Sequence, residues 1–209
     1  MQTDLQIAEY LLQIQAVKIN TETPFVWSSG WNSPIYCDNR LILSYPEIRT
    51  YVKNAFVSEI KQHFPNGNAV AGVATAGIAH GALIADVMDL TYIYVRTSAK
   101  SHGLKNLIEG KIDTQKTYFI IEELISTGGS SLTVIESLQD AGAKVAGVAA
   151  IFTYGFPEAA KAFDDLGIPL FTLSNLSALL QKATEMQYIS EKVWATIQDW
   201  QKNPAEWRK

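Results

Sequence analysis

The sequence contains a single cysteine, Cys37, among its 209 residues. One thiol excludes an intramolecular disulfide and any metal site built from several cysteines, and it fits a reducing compartment. No apolar run is long enough to span a bilayer, and the first residues lack the basic segment and apolar block of a secretory signal. We therefore expect a cytoplasmic protein that does not associate with membranes.

Charged residues are also scarce, at 18%, and acidic residues outnumber basic ones by 21 to 17, for a net charge of −4. Nucleic-acid binding needs a basic surface that neutralises phosphates, so we expect no nucleic-acid partner. Hydrophobic residues reach 47%, while glycine and proline are present in ordinary numbers. This composition is typical of a globular protein with a real core, and the length suits one domain.

Short apolar runs alternate with amphipathic segments along most of the chain, which is the pattern of an α/β protein with a mainly parallel sheet. Strands are predicted at 69–74, 91–96, 116–121, 144–154 and 168–174. Helices are predicted at 4–19, 45–64, 77–90, 130–143, 157–167, 175–184 and 189–201. Residues 23–41 predict a strand, a turn and a second strand. The tryptophans near the end of the sequence have helical spacing and predict packing rather than cofactor contact; they are Trp194, Trp200 and Trp207.

The most informative segment is YFIIEELISTGGSS, residues 118–131. Its apolar run predicts a central strand with Glu122 and Glu123 at the C-terminal end, the edge where parallel sheets bind ligands. Small residues then form a turn, residues 126–130, into a helix whose free N–H groups suit a phosphate. Carboxylates suit a sugar diol or a hydrated cation. The segment predicts a phosphorylated sugar ligand; the alternative is a strand end with two solvated glutamates and an ordinary glycine turn.

The same segment resembles the phosphoribosyl pyrophosphate (PRPP) motif of type I phosphoribosyltransferases. Neither a nucleoside triphosphate P-loop nor a dinucleotide-binding glycine motif is present. Three further segments, residues 25–40, 72–85 and 94–111, resemble orotate phosphoribosyltransferase in order and spacing. The resemblance implies a single phosphoribosyltransferase domain with a mainly parallel sheet flanked by helices. A small hood would come mostly from residues 1–45, the core from about 46–175, and C-terminal helices from 175–209.

The resemblance also implies a reaction, in which a ring nitrogen of orotate displaces pyrophosphate from PRPP to give orotidine 5′-monophosphate in pyrimidine synthesis. Mg²⁺ would be carried by PRPP near the two glutamates, with no metal ligand supplied directly. The implied PRPP-binding residues are Glu122, Glu123, Ser126, Thr127, Gly128, Gly129, Ser130, Thr75, Ala76 and Gly77. The implied orotate-binding residues are Ser28, Ser29, Gly30, Tyr36 and Ser126.

A lid loop, residues 97–109, follows the predicted strand that ends at Arg96. The resemblance implies that Arg96, Lys100 and His102 serve the pyrophosphate, and that the lid reaches the neighbouring site of a homodimer. The alternative for this loop is a solvated basic segment, since charge runs are usually solvated. For the ATAGIA turn, residues 74–79, the alternative to a pyrophosphate loop is ordinary tight packing between helix and sheet.

The sequence departs from the commoner family pattern at several positions. Many members have lysine where Ser28, Ala76 and Thr97 stand, and aspartate where Glu123 stands. Many also have an arginine near Tyr154 that meets the carboxylate of orotate. Here Arg40 is a candidate for that carboxylate, and it could equally pair with Asp38.

Two other functions remain open at this level. One is a PRPP-binding regulator without catalysis, and the other is a phosphoribosyltransferase for a purine or for uracil. The cations of the lid loop favour an enzyme over a regulator. The hood and lid sequences favour orotate over another base.

Overall fold

A computed structural model describes residues 2–27, 29–98 and 107–208. Within these ranges the strands are β1 (Val17–Ile19), β2 (Phe25–Val26), β3 (Asn32–Ser33), β4 (Ile35–Cys37), β5 (Ala69–Val73), β6 (Thr91–Val95), β7 (Ile108–Glu109), β8 (Thr117–Ile125), β9 (Lys144–Thr153) and β10 (Leu170–Asn175). The helices are α1 (Thr3–Gln13), α2 (Pro46–His63), α3 (Gly77–Met88), α4 (Gly129–Asp140), α5 (Pro157–Leu166), α6 (Leu176–Glu185) and α7 (Glu191–Lys202), with a 3-10 helix at Asn39–Ser44.

The central sheet has six strands in the order β10-β9-β8-β5-β6-β7. Its pairs are parallel except for β6 with β7, so the predicted mainly parallel sheet is confirmed. From β5 the chain moves outward to β6 and then crosses to β8 on the other side of β5. The loops that follow β5 and β8 therefore diverge and open a crevice at the carboxyl edge of the sheet.

Both faces of the sheet are covered, which explains why its strands read as continuous apolar runs. Along β8, Phe119 and Ile121 face a core shared with α1, α2, α3, α6 and α7. Tyr118 and Ile120 face the opposite core, which includes residues of α4 and α5. The two smaller antiparallel sheets, β1 with β4 and β2 with β3, lie in the N-terminal segment predicted to form the hood.

Two predicted boundaries are wrong: the end of the first helix and the end of the central strand. The helix predicted over 4–19 ends at Gln13, because Gln15 has a positive φ of 55° and β1 then pairs with β4. The strand predicted over 116–121 continues to Ile125, whose partner on β9 is Thr153. The two adjacent glutamates consequently lie within a strand, where successive side chains point to opposite faces.

The first residue of α3, Gly77, packs directly on the backbone of β8. A Cβ atom at Gly77 would lie 2.3 Å from the carbonyl oxygen of Ile121 and 3.5 Å from the Cα of Glu122. A side chain at this position would push α3 away from the sheet. The absence of a Cβ therefore lets the first turn of α3 lie directly against β8.

We expect Gly77→Ala to lower the free energy of unfolding by about 1–3 kcal/mol, the usual cost of overpacking a rigid contact. Urea denaturation with a constant m-value measures this change. Gly129→Ala is the matched control, because its Cβ would meet nothing within 4 Å. Equal stability of the two variants would contradict the proposed close approach.

Candidate active site

A cavity of about 570 Å³ opens at the carboxyl edge of the sheet. It joins the N-terminal segment to the turn after β8, as the sequence predicts for a ligand with a base and a phosphate. Its walls are Val26, Trp27, Ser29, Tyr36 and Cys37, with Glu122 and Leu124 of β8, residues 126–131 and Tyr154.

The floor of the cavity is the turn between β8 and α4. Gly128 has a φ of +86°, a conformation that favours glycine, and a Cβ there would lie 3.1 Å from the ring of Phe163. The first N–H groups of α4 have no partner inside the helix and carry partial positive charge. Predicted residues Ser126, Thr127 and Ser130 all line the cavity here. The turn therefore offers a cluster of donors suited to one phosphate.

Ser131 also lines this floor and was missed by the sequence analysis. The residue is 1% exposed, and its hydroxyl oxygen has no hydrogen-bond partner in the described part of the chain. The only available signal was its position as the second serine of GGSS, in the first turn of α4.

Glu122 and Glu123 diverge, as their positions in a strand require. Glu122 reaches the cavity, and its Oε1 accepts a hydrogen bond from the backbone N–H of Glu123 at 2.8 Å. Burial raises the pKa of Glu122 to about 8. Glu123 is absent from the cavity wall, and its carboxylate interacts electrostatically with the positive charge of Arg40.

This second carboxylate connects the sheet to the 3-10 helix. Burial raises the pKa of Glu123, and the positive charge of Arg40 opposes that shift. The Asn39 side-chain amide also donates to the Glu123 carbonyl oxygen at 3.4 Å. The structure therefore brings one of the two predicted carboxylates into the cavity and places the other against the N-terminal segment.

The predicted pyrophosphate loop lies at the same edge of the sheet but outside the wall of this cavity. Thr75 is exposed, Ala76 caps α3, and Gly77 begins it. The backbone N–H of Ala74 donates to the Val95 carbonyl at 2.9 Å, so the loop sits beside the end of β6. Arg96 follows directly there, and its Nε is buried without a hydrogen-bond partner among the described residues.

The remaining predicted site residues divide into three groups. Ser29 and Tyr36 line the cavity, whereas Gly30, with a φ of +83°, forms the turn between β2 and β3 outside its wall. Predicted residues outside the described ranges are Ser28, Lys100 and His102, together with most of the lid loop.

Arg40 forms a two-point ion pair with Asp38, with distances of 2.6 Å from Nε to Oδ1 and 2.9 Å from Nη2 to Oδ2. This pairing holds the pKa of Asp38 below its ordinary value. Arg40 does not line the cavity. Of the two alternatives for Arg40, the structure shows the pair with Asp38.

The end of the cavity opposite the turn is aromatic and neutral. Trp27 and Tyr154 have ring centroids 4.9 Å apart, and Tyr36 lies nearby on β4. Burial raises the pKa of both the Cys37 thiol and the Tyr154 hydroxyl. Flat apolar walls with a few polar groups suit a planar heterocycle.

Within the described ranges, no group of three or more His, Cys, Asp and Glu residues is arranged to hold a metal ion. No helix of the described chain is long and apolar enough to cross a membrane.

Comparison with known proteins gives a consistent answer. The chain is 50% identical over 204 residues to an orotate phosphoribosyltransferase of Cytophaga hutchinsonii, covering 98% of each chain. It is 46% identical over 209 residues to an orotate phosphoribosyltransferase of Listeria monocytogenes, covering 100% of both. The chain belongs to the orotate phosphoribosyltransferase family.

The fold supports the same placement. The crystal structure of an orotate phosphoribosyltransferase from Aeropyrum pernix matches with a TM-score of 0.75 and 25% identity, covering 88% of this chain and 99% of that one. No protein-family model matches the sequence. The predicted type I phosphoribosyltransferase fold is therefore confirmed.

We expect Glu122→Gln to change how stability depends on pH. A carboxyl whose folded pKa is about 8 binds a proton more tightly in the folded chain than in the unfolded chain. Its contribution to stability is complete below its ordinary pKa and is lost as pH rises towards 8. The glutamine variant lacks this loss, so its stability relative to the parent should increase from pH 5 to pH 8.

Urea denaturation at several pH values within this range measures the effect. Glu136→Gln, at an exposed position of α4, supplies the baseline for loss of a carboxylate. If both variants follow the parent in parallel, Glu122 is not the buried acid described above.

Proposed function

We propose that the chain transfers the phosphoribosyl group of PRPP to orotate, forming orotidine 5′-monophosphate and pyrophosphate in pyrimidine biosynthesis. The observation that carries this assignment is one cavity whose wall combines a phosphate-type turn, aromatic side chains and the carboxyl group of Glu122. Family membership at 46–50% identity supports the same reaction.

The turn at residues 126–130 binds the 5′-phosphate of PRPP in this proposal. Backbone N–H groups and hydroxyls converge there, and the dipole of α4 adds favourable charge. The Ser131 hydroxyl lies in the same wall. Its burial without a partner in the described chain supports a donor role towards the ligand, because an unpaired buried hydroxyl is costly.

Glu122 accepts hydrogen bonds from the ribose hydroxyls, since it lines the same cavity as the phosphate turn and the aromatic wall. Glu123 was predicted to share this task. The hydrogen bond from Asn39 to its carbonyl and the electrostatic attraction of its carboxylate to Arg40 instead support a role in holding the 3-10 helix against the sheet. Direct ribose contact by Glu123 stays a prediction.

The pyrophosphate is bound by Arg96, the loop at residues 75–77, Lys100 and His102. Negative charge develops on this leaving group in the transition state, and preorganised cations and N–H groups stabilise it. The Nε of Arg96, which has no hydrogen-bond partner within the described ranges and lies next to the loop after β5, supports its part in this set. The hood and lid exclude water from the reacting ribose.

Mg²⁺ is the proposed cofactor and would neutralise charge on the pyrophosphate group when bound. The carboxyl oxygens available at the cavity are those of Glu122, too few for a cage made of protein ligands alone. This donor set fits an ion that arrives with PRPP and takes most of its ligands from substrate oxygens and water.

The proposed assembly is a cytoplasmic homodimer in which lid loop 97–109 of each subunit closes over its partner's site. The resemblance of the lid segment to the family motif supports this arrangement. An acidic chain with one cysteine fits the compartment.

Orotate absorbance should fall when PRPP and Mg²⁺ are both present, and the reaction should stop when a chelator removes the metal. Pyrophosphate release provides an independent measure. Uracil, hypoxanthine and adenine, tested at the same concentration, should support little release. Faster release with any of these bases than with orotate would overturn the assignment.

Subunit complementation tests the shared lid. Lys100→Ala should inactivate the lid, and Glu122→Ala should inactivate the PRPP site. Mixed dimers should regain activity, because half of their sites combine a normal lid with a normal cavity. Each variant alone is the control, and mass spectrometry of an affinity-tagged partner verifies exchange. Exchanged dimers without activity would show that each subunit uses its own lid.

A further inference from the structure

Four buried or partly buried rings form an aromatic cluster behind the base end of the cavity: Trp27, Tyr154, Phe156 and Trp200. Trp27 and Tyr154 line the cavity, whereas Trp200 belongs to α7 and is 0% exposed. The Trp200 ring meets Trp27 edge to face at 5.6 Å and Tyr154 at 5.5 Å. The Trp200 ring of α7 therefore packs against both aromatic side chains of the cavity wall.

The backbone of Tyr154 is fixed from two sides. Its N–H donates to the carbonyl of Ile125, at the end of β8, at 3.2 Å. Its carbonyl accepts from the side-chain amide of Gln201, on α7, at 2.6 Å. The next residue, Gly155, has a φ of +72°, and a Cβ there would lie 3.3 Å from the Gln201 amide nitrogen. The chain thus leaves room for Gln201 to reach Tyr154.

Trp27 is fixed in a similar way. Its indole N–H donates to the Ile35 carbonyl at 3.1 Å, which sets the ring's orientation in the N-terminal segment. Its ring lies 4.9 Å from Tyr154 at an interplanar angle of 33°. Displacement of α7 would release the edge contact of Trp200 and the hydrogen bond of Gln201 together. Both walls of the base end would then lose their support.

We propose that Trp200 and Gln201 are positioning residues for the base: they hold Trp27 and Tyr154 in the geometry that receives orotate. The proposal rests on the proposed function, since it assigns the aromatic end of the cavity to orotate. Neither residue lines the cavity. The phosphate turn, where PRPP binds, has no part in the Gln201 hydrogen bond or in the ring contacts of Trp200.

This separation predicts different effects on the KM values of the two substrates. If α7 had only a structural role, weakening it would change the KM for both substrates or change only the thermal stability. A positioning role predicts that the KM for orotate rises while the KM for PRPP stays nearly constant. Gln201→Leu removes the donor and keeps a side chain of similar size. Gln181→Leu is the matched control, because Gln181 is exposed on α6 and its amide donates to Glu185 of the same helix.

We expect Gln201→Leu to raise the KM for orotate about three- to tenfold, the range for loss of one neutral hydrogen bond. The KM for PRPP should stay within about twofold, and kcat at saturating orotate within about threefold. Trp200→Phe keeps an aromatic ring in the cluster and serves as the second variant if Gln201→Leu does not fold. An unchanged orotate KM, or equal increases for both substrates, overturns the proposal.

Near-UV circular dichroism of the free protein gives a readout independent of activity. The signal of the packed rings should decrease in Gln201→Leu, which keeps every aromatic side chain, but not in Gln181→Leu. An unchanged spectrum in Gln201→Leu overturns the proposal. A parent protein that binds PRPP but consumes no orotate overturns the proposed function instead, and the spectra still decide whether α7 fixes the two walls.

Discussion

The contact between Gly77 and the Ile121 carbonyl is the constraint on which the site depends. It lets the first turn of α3 lie on β8, where a Cβ would sit at 2.3 Å. The loops after β5 and β8 belong to separate crossovers, and this contact brings them to one crevice. The position of the predicted pyrophosphate loop relative to Glu122 and the phosphate turn follows from it.

Strand geometry then assigns different tasks to two adjacent glutamates. Because β8 continues to Ile125, Glu122 turns to the cavity and Glu123 to the 3-10 helix. One carboxyl group belongs to the ligand site, and the other attaches the N-terminal segment to the sheet. The opposite end of the cavity is held by α7 through Tyr154. Ligand walls from three distant parts of the sequence are thereby fixed to one rigid sheet.

The sequence predicted the parallel sheet well, because strands buried on both faces are continuous apolar runs bounded by helices. It also located the turn between β8 and α4, whose residues are contiguous. The end of β8 was misjudged because glutamates resemble a strand boundary, while their burial depends on α3 and the hood. Ser131 and the Tyr154–Gln201 bond could not be predicted, since the latter joins residues 47 positions apart. Pairings of this kind are specified by tertiary packing rather than by local pattern.

The dependence of the base end on α7 has a consequence for biosynthesis of the chain. A ribosome releases β8 and the phosphate turn well before Trp200 and Gln201 emerge. The hydrogen-bond partner of Asn32 is also synthesised late, since the Asn32 amide donates to the carbonyl of Arg208, 176 residues later. A nascent chain can therefore assemble the phosphate end of its pocket first, and the base end is completed only when the final helix docks.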